Sequence, residues 1–359
     1  MSINFHTSTQ RGGRARGKEL GTALRPQIAA TFADYCWLFS AAGIDDALVR
    51  EVAEASHEAL ARWSPDLALE VEGIAAGAEL PLWQVAAINA RTEIVVRGRI
   101  AGLKECTSAV WIAPTGRAQA LQTWDWIPTV HDFTVRRHVA PGGLGVATFA
   151  ENGGLAKVGV NSAHVGLLLT LLLHTSDGSR SQGVPIHAVA RRVLDEARSL
   201  DEAVDIVSSA PVTASGAITL LQQDMGMTRG RVVELAPEGV AVLEPEDGFL
   251  LHTNHFLDPA LAVGDRLIPI GDDSLPRLAR LREIRDVLRT PDRTVAATGL
   301  TSHWADGAPI CAHPRPDADE TDRWETKMTF SLDLETPSLW FHEGGPCGVT
   351  EAGWTAVAA

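Results

Sequence analysis

Apolar residues recur at three- and four-residue spacing over Leu24 to Phe39, Asp45 to Trp63 and Leu82 to Val96, which predicts amphipathic helices across the first hundred residues. Ser64-Pro65 and Leu80-Pro81 mark the joints, because proline breaks a helix from within. After Cys106 the period changes. Thr107 to Ala113 and Ala118 to Trp126 are short β-type runs, and Pro114-Thr115-Gly116-Arg117 between them predicts a hairpin. Further strands are expected at Leu144 to Ala150, Leu155 to Asn161 and Val165 to Leu173, with Glu151-Asn152-Gly153-Gly154 turning between the first two. A helical pair follows at Pro185 to Glu196 and Ser199 to Ser208. The second opens on Ser199-Leu200-Asp201-Glu202, a cap with acidic first-turn residues that suit a helix N-terminus. β character returns at Ala217 to Gln223, Arg231 to Leu235, Val240 to Glu244 and Phe249 to Asn254. A late helix, Ser274 to Leu288, precedes strands around Thr326 to Leu334 and Ser338 to Phe341.

No repeat or low-complexity linker divides the chain, so residues 1–359 are read as one domain. The strands do not alternate strictly with helices. An antiparallel, layered α+β architecture is therefore expected rather than a doubly wound one.

Composition changes this picture little but narrows the function. With 45% hydrophobic and 21% charged residues, the chain can bury a core and is not a disordered sequence. The longest apolar run, Val165 to Leu173, is interrupted by Gly166 and Thr170 and is far shorter than the roughly 20 residues that span a bilayer. No apolar stretch precedes the basic cluster at the N-terminus, so neither a secretory signal nor an anchor is expected and the cytoplasm is the default location. A net charge of -14 argues against nucleic acid as a partner. The basic stretch Arg11 to Lys18 reads as a solvated turn. Cys36, Cys106, Cys311 and Cys347 form no C-x-x-C pair of the kind that suggests zinc or a redox dithiol.

Cys106 lies in Gly102-Leu103-Lys104-Glu105-Cys106-Thr107-Ser108, where helical texture gives way to a strand. The predicted hairpin returns Asp125, within Gln122-Thr123-Trp124-Asp125-Trp126, toward this cysteine. A thiol needs a base to become a nucleophile: a histidine, a cationic neighbour, or the cysteine's own α-amine after chain cleavage. That amine has an ordinary pKa near 8 and accepts a proton close to neutral pH. Trp124 and Trp126 share one face of their strand and Asp125 takes the other. They read as core or as the wall of a hydrophobic acyl pocket. His252 and His255 are not expected to share a metal, since an extended strand points them to opposite faces, and neither a metal nor a cofactor is expected.

The chain resembles the cysteine-dependent acyl-coenzyme A:isopenicillin N (6-aminopenicillanic acid) acyltransferase family of N-terminal nucleophile (Ntn) hydrolases. The resemblance rests on Glu70-Val71-Glu72-Gly73-Ile74-Ala75-Ala76-Gly77-Ala78, Asn89-Ala90-Arg91-Thr92-Glu93, Glu105-Cys106-Thr107-Ser108, Trp124-Asp125-Trp126, Gly159-Val160-Asn161-Ser162, His252-Thr253-Asn254-His255 and Gly344-Gly345-Pro346-Cys347, in that order. It implies a four-layer αββα sandwich, made as a precursor that cuts itself between Glu105 and Cys106 into an α and a β chain. By the same resemblance Cys106 is the nucleophile, Asp125 orients the new α-amine, Asn254 supplies the oxyanion hole and Ser108 assists self-cleavage. Asn161 resembles a pocket-lining asparagine of the related choloylglycine hydrolases. His255, Trp124 and Trp126 complete the expected substrate-binding set.

The implied partner is a small N-acylated compound, with acyl-coenzyme A as a further donor; the implied assembly is the α/β heterodimer, higher oligomers being left open. One departure stands out. The family commonly carries arginine after its Ile-Cys pair, whereas this chain reads Pro309-Ile310-Cys311-Ala312-His313-Pro314-Arg315, which puts penicillin-type substrates in doubt and leaves Arg315 as the nearest substitute. The rival readings are a papain-like Cys-His pair drawing on His131, His164 or His174, and a catalytically idle family member that binds a hydrophobic acyl compound.

Overall fold

The structure is a computed structural model and describes residues 2–98, 106–130, 132–315, 318 and 323–359. Glu105, one side of the expected cut, and His131 lie outside the described residues. Strand β1 (Ser2–Thr7) is followed by helices α1 (Gly13–Ala23), α2 (Arg25–Ala41), α3 (Asp46–Trp63), α4 (Pro65–Ala78), α5 (Leu82–Asn89) and α6 (Arg91–Val95). Local chemistry sets the boundaries. The Asp45 carboxylate accepts from the Leu48 amide at 2.8 Å and starts α3, and Pro65 occupies the first turn of α4, where a missing N–H costs nothing.

Helices α1 and α4 pack backbone against backbone. Gly13, Gly17 and Gly21 of α1 lie against the backbone of Asp66, Glu70 and Ile74, Gly73 and Gly77 of α4 lie against that of Arg14 and Lys18, and a Cβ placed on Gly17 would lie 2.0 Å from the Glu70 carbonyl oxygen. This approach buries Arg16, whose guanidinium meets the Glu70 carboxylate at 2.5 Å. The basic stretch Arg11 to Lys18 is thus not a solvated turn. It runs into a helix that three glycines at four-residue spacing allow to dock, with its one buried cation paired.

The remaining elements are β2 (Thr107–Ile112), β3 (Ala118–Trp126), β4 (Asp132–Val139), β5 (Gly145–Glu151), β6 (Val158–Asn161), β7 (Val165–Leu171), α7 (Ile186–Glu196), α8 (Leu200–Ser208), β8 (Gly216–Asp224), β9 (Met227–Ala236), β10 (Gly239–Leu243), β11 (Phe249–His252), α9 (Ser274–Ile284), α10 (Arg293–Gly299), β12 (Glu325–Asp333), β13 (Ser338–Glu343) and β14 (Thr355–Ala358). One sheet has the order β1-β4-β5-β6-β7-β8-β9-β10, antiparallel except where β1 runs parallel to β4; the other, β11-β2-β3-β12-β13-β14, is antiparallel throughout.

Each sheet carries helices on its outer face. Arg136 of β4 and Arg191 of α7 both reach Glu70 of α4, the second at 3.0 Å, which fixes α4 and α7 on the same side of the larger sheet. Helices α9 and α10 cover the smaller sheet through Ala109, Leu121, Phe249, Leu281 and Ala296. Between the sheets Trp124 packs edge-on against Phe133 and Phe149, with ring centroids 4.9 and 5.5 Å apart, and Phe149 meets Phe330 at 4.8 Å. The arrangement is the layered αββα sandwich expected. Sequence periodicity had not anticipated β1, β4, β14, α1, α4 or α10. Helix α4 is rich in alanine and glycine, and its exposed positions Pro65, Leu69 and Ala76 are apolar, so it has no polar stripe to read.

Candidate active site

Cys106 stands at the head of β2, fully buried, with a left-handed φ of 45°. A residue bearing a Cβ is uncommon there, and such a conformation persists only where surrounding contacts hold it. Its holder is Arg277 of α9. Nη1 donates to the Cys106 carbonyl oxygen at 3.1 Å and to Thr107 Oγ1 at 3.0 Å, Nη2 donates to Asn254 Oδ1 at 2.6 Å, and Nε donates to Asp273 Oδ1 at 2.7 Å. One planar fork therefore ties the head of β2 to the segment just past β11. Burial opposes the charge on Arg277, but the carboxylates of Asp273, Asp272 and Asp125 outweigh it and raise its pKa.

Asn254 is buried and held from both ends. Its Nδ2 donates to the Leu171 carbonyl at 2.9 Å, and its backbone N–H donates to Ser274 Oγ at 2.7 Å. His255 Nδ1 lies 2.7 Å from the same Ser274 Oγ. Burial first, then the neighbouring His252, lowers the His255 pKa to about 4, so His255 is a neutral polar contact near pH 7. His252 turns elsewhere, with Nε2 2.8 Å from Glu234 Oε1.

Asp125 sits at the Cys106 end of the hairpin, since Thr107 pairs with Thr123. Its Oδ1 accepts from Thr326 Oγ1 at 2.6 Å, and it adds to the field on both Arg277 and Cys311. Ser108 points inward, its Oγ 3.5 Å from Thr219 Oγ1 and from the His252 carbonyl. Cys106, Asp125 and Asn254 are thus gathered around Arg277.

The other expected residues are placed differently. Asn161 faces α7, away from the smaller sheet: its Nδ2 donates to the Leu194 and Ala197 carbonyls and its Oδ1 accepts from the Ala163 and Val165 amides. That corrects its expected role as a lining of the cysteine pocket. It secures the β6–β7 turn, where asparagine satisfies several backbone groups at once. Trp124 and Trp126 stack with centroids 6.2 Å apart inside the inter-sheet core, under the Lys157 ammonium. Of the rival histidines, His164 Nδ1 meets the Leu334 carbonyl at 2.7 Å and His174 Nδ1 meets Ser176 Oγ at 2.7 Å. Burial, and then the nearby Cys347 and Asp125, push the Cys311 thiol up to about 12, which keeps it protonated and a poor nucleophile.

Arg277, Ser274 and Thr326 were missed in the sequence. A signal for Arg277 existed: it lies three residues after Ser274 and four before Leu281, on the buried stripe of an otherwise charged helix.

A buried thiol at a strand head, beside a strand-end asparagine and a clamping arginine within an αββα sandwich, defines a cysteine-centred α+β protein. The profile of the family described as "Acyl-coenzyme A:6-aminopenicillanic acid acyl-transferase" matches residues 113–346, and the chain belongs to that family. The chain is 29% identical over 215 residues to the acyl-coenzyme A:6-aminopenicillanic-acid-acyltransferase 40 kDa form of Emericella nidulans, covering 58% of this chain. It spans about half the length of that relative, 56%. Among solved structures it is similar to penicillin V acylase from Agrobacterium tumefaciens (16% identity, TM-score 0.45, 66% of this chain and 83% of that one). It is also similar to a variant of the conjugated bile acid hydrolase from Clostridium perfringens (14% identity, TM-score 0.44, 70% and 92%). Among the described residues no helix is long and apolar enough to cross a membrane.

Proposed function

We propose that this chain is a self-processing Ntn cysteine amidohydrolase or acyltransferase, acting in the cytoplasm on a small N-acyl amide. The observation that carries the reading is Cys106 itself: a buried, left-handed residue whose carbonyl is clamped by Arg277, at the start of a strand. Strain of about 1–3 kcal/mol at such a residue favours breaking the adjoining bond.

In the first stage the Cys106 thiol attacks the Glu105 carbonyl carbon, the acyl group moves from nitrogen to sulfur, and water hydrolyses the thioester to free residues 1–105 from residues 106–359. Ser108 assists by hydrogen bonding. The exposed α-amine then takes the thiol proton, held in place by Asp125. In the second stage the thiolate attacks the acyl carbon of the substrate amide, a side-chain N–H of Asn254 stabilises the oxyanion, the α-ammonium passes its proton to the departing amine, and water or an amine resolves the thioester and restores the thiol. The relative's name pairs acyl-coenzyme A with 6-aminopenicillanic acid; this chain has Ala312 rather than arginine after Cys311, so the identity of its amine is left open, penicillin-like amides included.

Intact mass of the purified chain tests the first stage. Two fragments summing to the precursor plus one water, absent from Cys106→Ala, are expected; a chain that never cleaves and ignores thiol-directed acyl probes would refute it. Acyl release from a panel of N-acyl amides, with and without amine acceptors, then separates hydrolysis from transfer. A folded, processed chain inert to the whole panel would favour the idle binding protein.

A further inference from the structure

Four side chains from two separate segments converge beside the smaller sheet. His303 precedes a 3-10 turn, Cys311 and His313 stand two apart in the segment that follows, and Cys347 lies in the 3-10 turn after β13. One ligand atom from each lies within 4.8 Å of the other three. His313 Nε2 is 3.3 Å from Cys347 Sγ and 3.6 Å from Cys311 Sγ. The His303 ring lies 5.0 Å from that of His313, and its Nε2 is buried without a hydrogen-bond partner among the described residues.

We infer that these four residues form a structural Zn2+ site. Ordinary Zn–S and Zn–N lengths place sulfur and nitrogen ligands of a tetrahedral ion about 3.6 Å apart. Both sulfur-to-Nε2 distances lie close to that value, and with all four ligand atoms within 4.8 Å of one another the wider pairs need to close by only about 1 Å. Thiolate with imidazole selects zinc over the hard, oxygen-seeking cations. A Cys311–Cys347 disulfide would use the two sulfurs and leave the His303 Nε2 buried and unpartnered, whereas a metal engages all four groups. On binding, both S–H bonds break, two Zn–S bonds form and two protons leave to solvent, so the ion's charge is neutralised locally. Four protein ligands fill the shell and leave no open position for chemistry.

The ion would fasten the strap of residues 303–313 to the turn after β13. That strap touches the active site: Ala312, between two ligands, donates its N–H to Thr326 Oγ1 at 2.8 Å and accepts from the Thr326 amide at 2.9 Å, while Thr326 Oγ1 donates to Asp125. Zinc would therefore position Asp125 through Thr326, whatever reaction Cys106 performs.

The test uses the full chain, stripped with chelator in reducing buffer and titrated with Co2+, alongside elemental analysis of the untreated protein. One Zn2+ per chain is expected, with the intense visible bands of tetrahedral, thiolate-bound Co2+, in wild type and in Cys106→Ala alike. Cys311→Ser with Cys347→Ser, and His303→Ala alone, should weaken Co2+ binding by roughly 100-fold or more, because each removes first-sphere ligands. A folded wild-type chain with no tetrahedral Co2+ spectrum would overturn the assignment even if every variant misfolded. So would undiminished metal in the folded double-cysteine variant, or a Cys311–Cys347 disulfide in the protein as isolated.

Discussion

The side-chain oxygen of Asn254 accepts from Arg277 Nη2 at 2.6 Å, and this single bond decides which way the asparagine amide faces. The same guanidinium donates to the Cys106 carbonyl at 3.1 Å, and the Asn254 Nδ2 donates to the Leu171 carbonyl at 2.9 Å. A rigid, buried donor of this kind suits the oxyanion role proposed for Asn254, because it does not have to reorganise during reaction.

Removing the clamp should cost chemistry as well as stability, since Arg277 is buried and paired with Asp273. In Arg277→Ala the rates of self-cleavage and of acyl release are expected to fall by about 100- to 1000-fold, the loss typical of one oxyanion-hole contact. Arg277→Lys should recover little, because an ammonium cannot bridge two acceptors in a plane. Gel densitometry of cleavage against time reads the first rate, and circular dichroism confirms the fold.

The acceptor-facing donor can be tested by itself. Asn254→Ala is expected to slow thioester formation on processed chain by about 100- to 1000-fold while leaving the fragments associated. Rapid-quench mass spectrometry of the acylated 106–359 fragment measures it, and an unchanged rate would assign the oxyanion to another group.

The α1–α4 contact gives a stability prediction free of any functional reading. Gly17→Ala must push a methyl group into the Glu70 carbonyl 2.0 Å away, so unfolding free energy should drop by about 1–3 kcal/mol or more. Gly239→Ala, whose nearest new neighbour is the Leu261 side chain at 3.6 Å, serves as the tolerant control in the same urea titration.

Glu70, Arg16, Arg136, Arg191, Asp195 and His138 form one buried charge cluster. Glu70→Ala leaves three guanidinium groups without their shared carboxylate and should cost about 3–5 kcal/mol. Chemical denaturation of variant and wild type gives the difference directly.

The same cluster sets an acid limit on stability. Burial, and then Arg191, lower His138 to about 4; burial opposes ionisation of Asp195, but Arg191 and His138 outweigh it and bring it to about 2. In both cases the folded chain binds fewer protons than the unfolded one, so stability falls as pH falls. The His138 contribution is complete above its ordinary 6.5 and fades toward about 4, and that of Asp195 fades from 3.8 toward about 2. Urea midpoints should decline from about pH 6.5 downward, and His138→Gln should flatten the upper part of that decline.

Much of this was legible in one dimension. The β2–β3 hairpin, the β5-β6-β7 run and α7–α8 follow from period and turn chemistry, and the Ser199 cap is present, its Oγ accepting from the Glu202 amide at 3.1 Å. Such signals survive because each is decided by neighbours within about ten residues. Helices α1 and α4 were not legible, because their stability comes from each other: glycine is a poor helix former alone and an asset where two backbones must touch.

Within the site, sequence by itself offered Cys106, Asp125 and Asn254 as candidates, the latter two given their roles by the family resemblance, and determined the hairpin that brings Cys106 and Asp125 to one end. It also carried the α+β class, since helix and strand periods are local. Only the tertiary structure decided that Arg277 joins them, that Asn161 turns toward α7, and that His303, Cys311, His313 and Cys347 meet. Those relations depend on which faces of which layers are pressed together, and sequence spacing does not encode contact across two sheets.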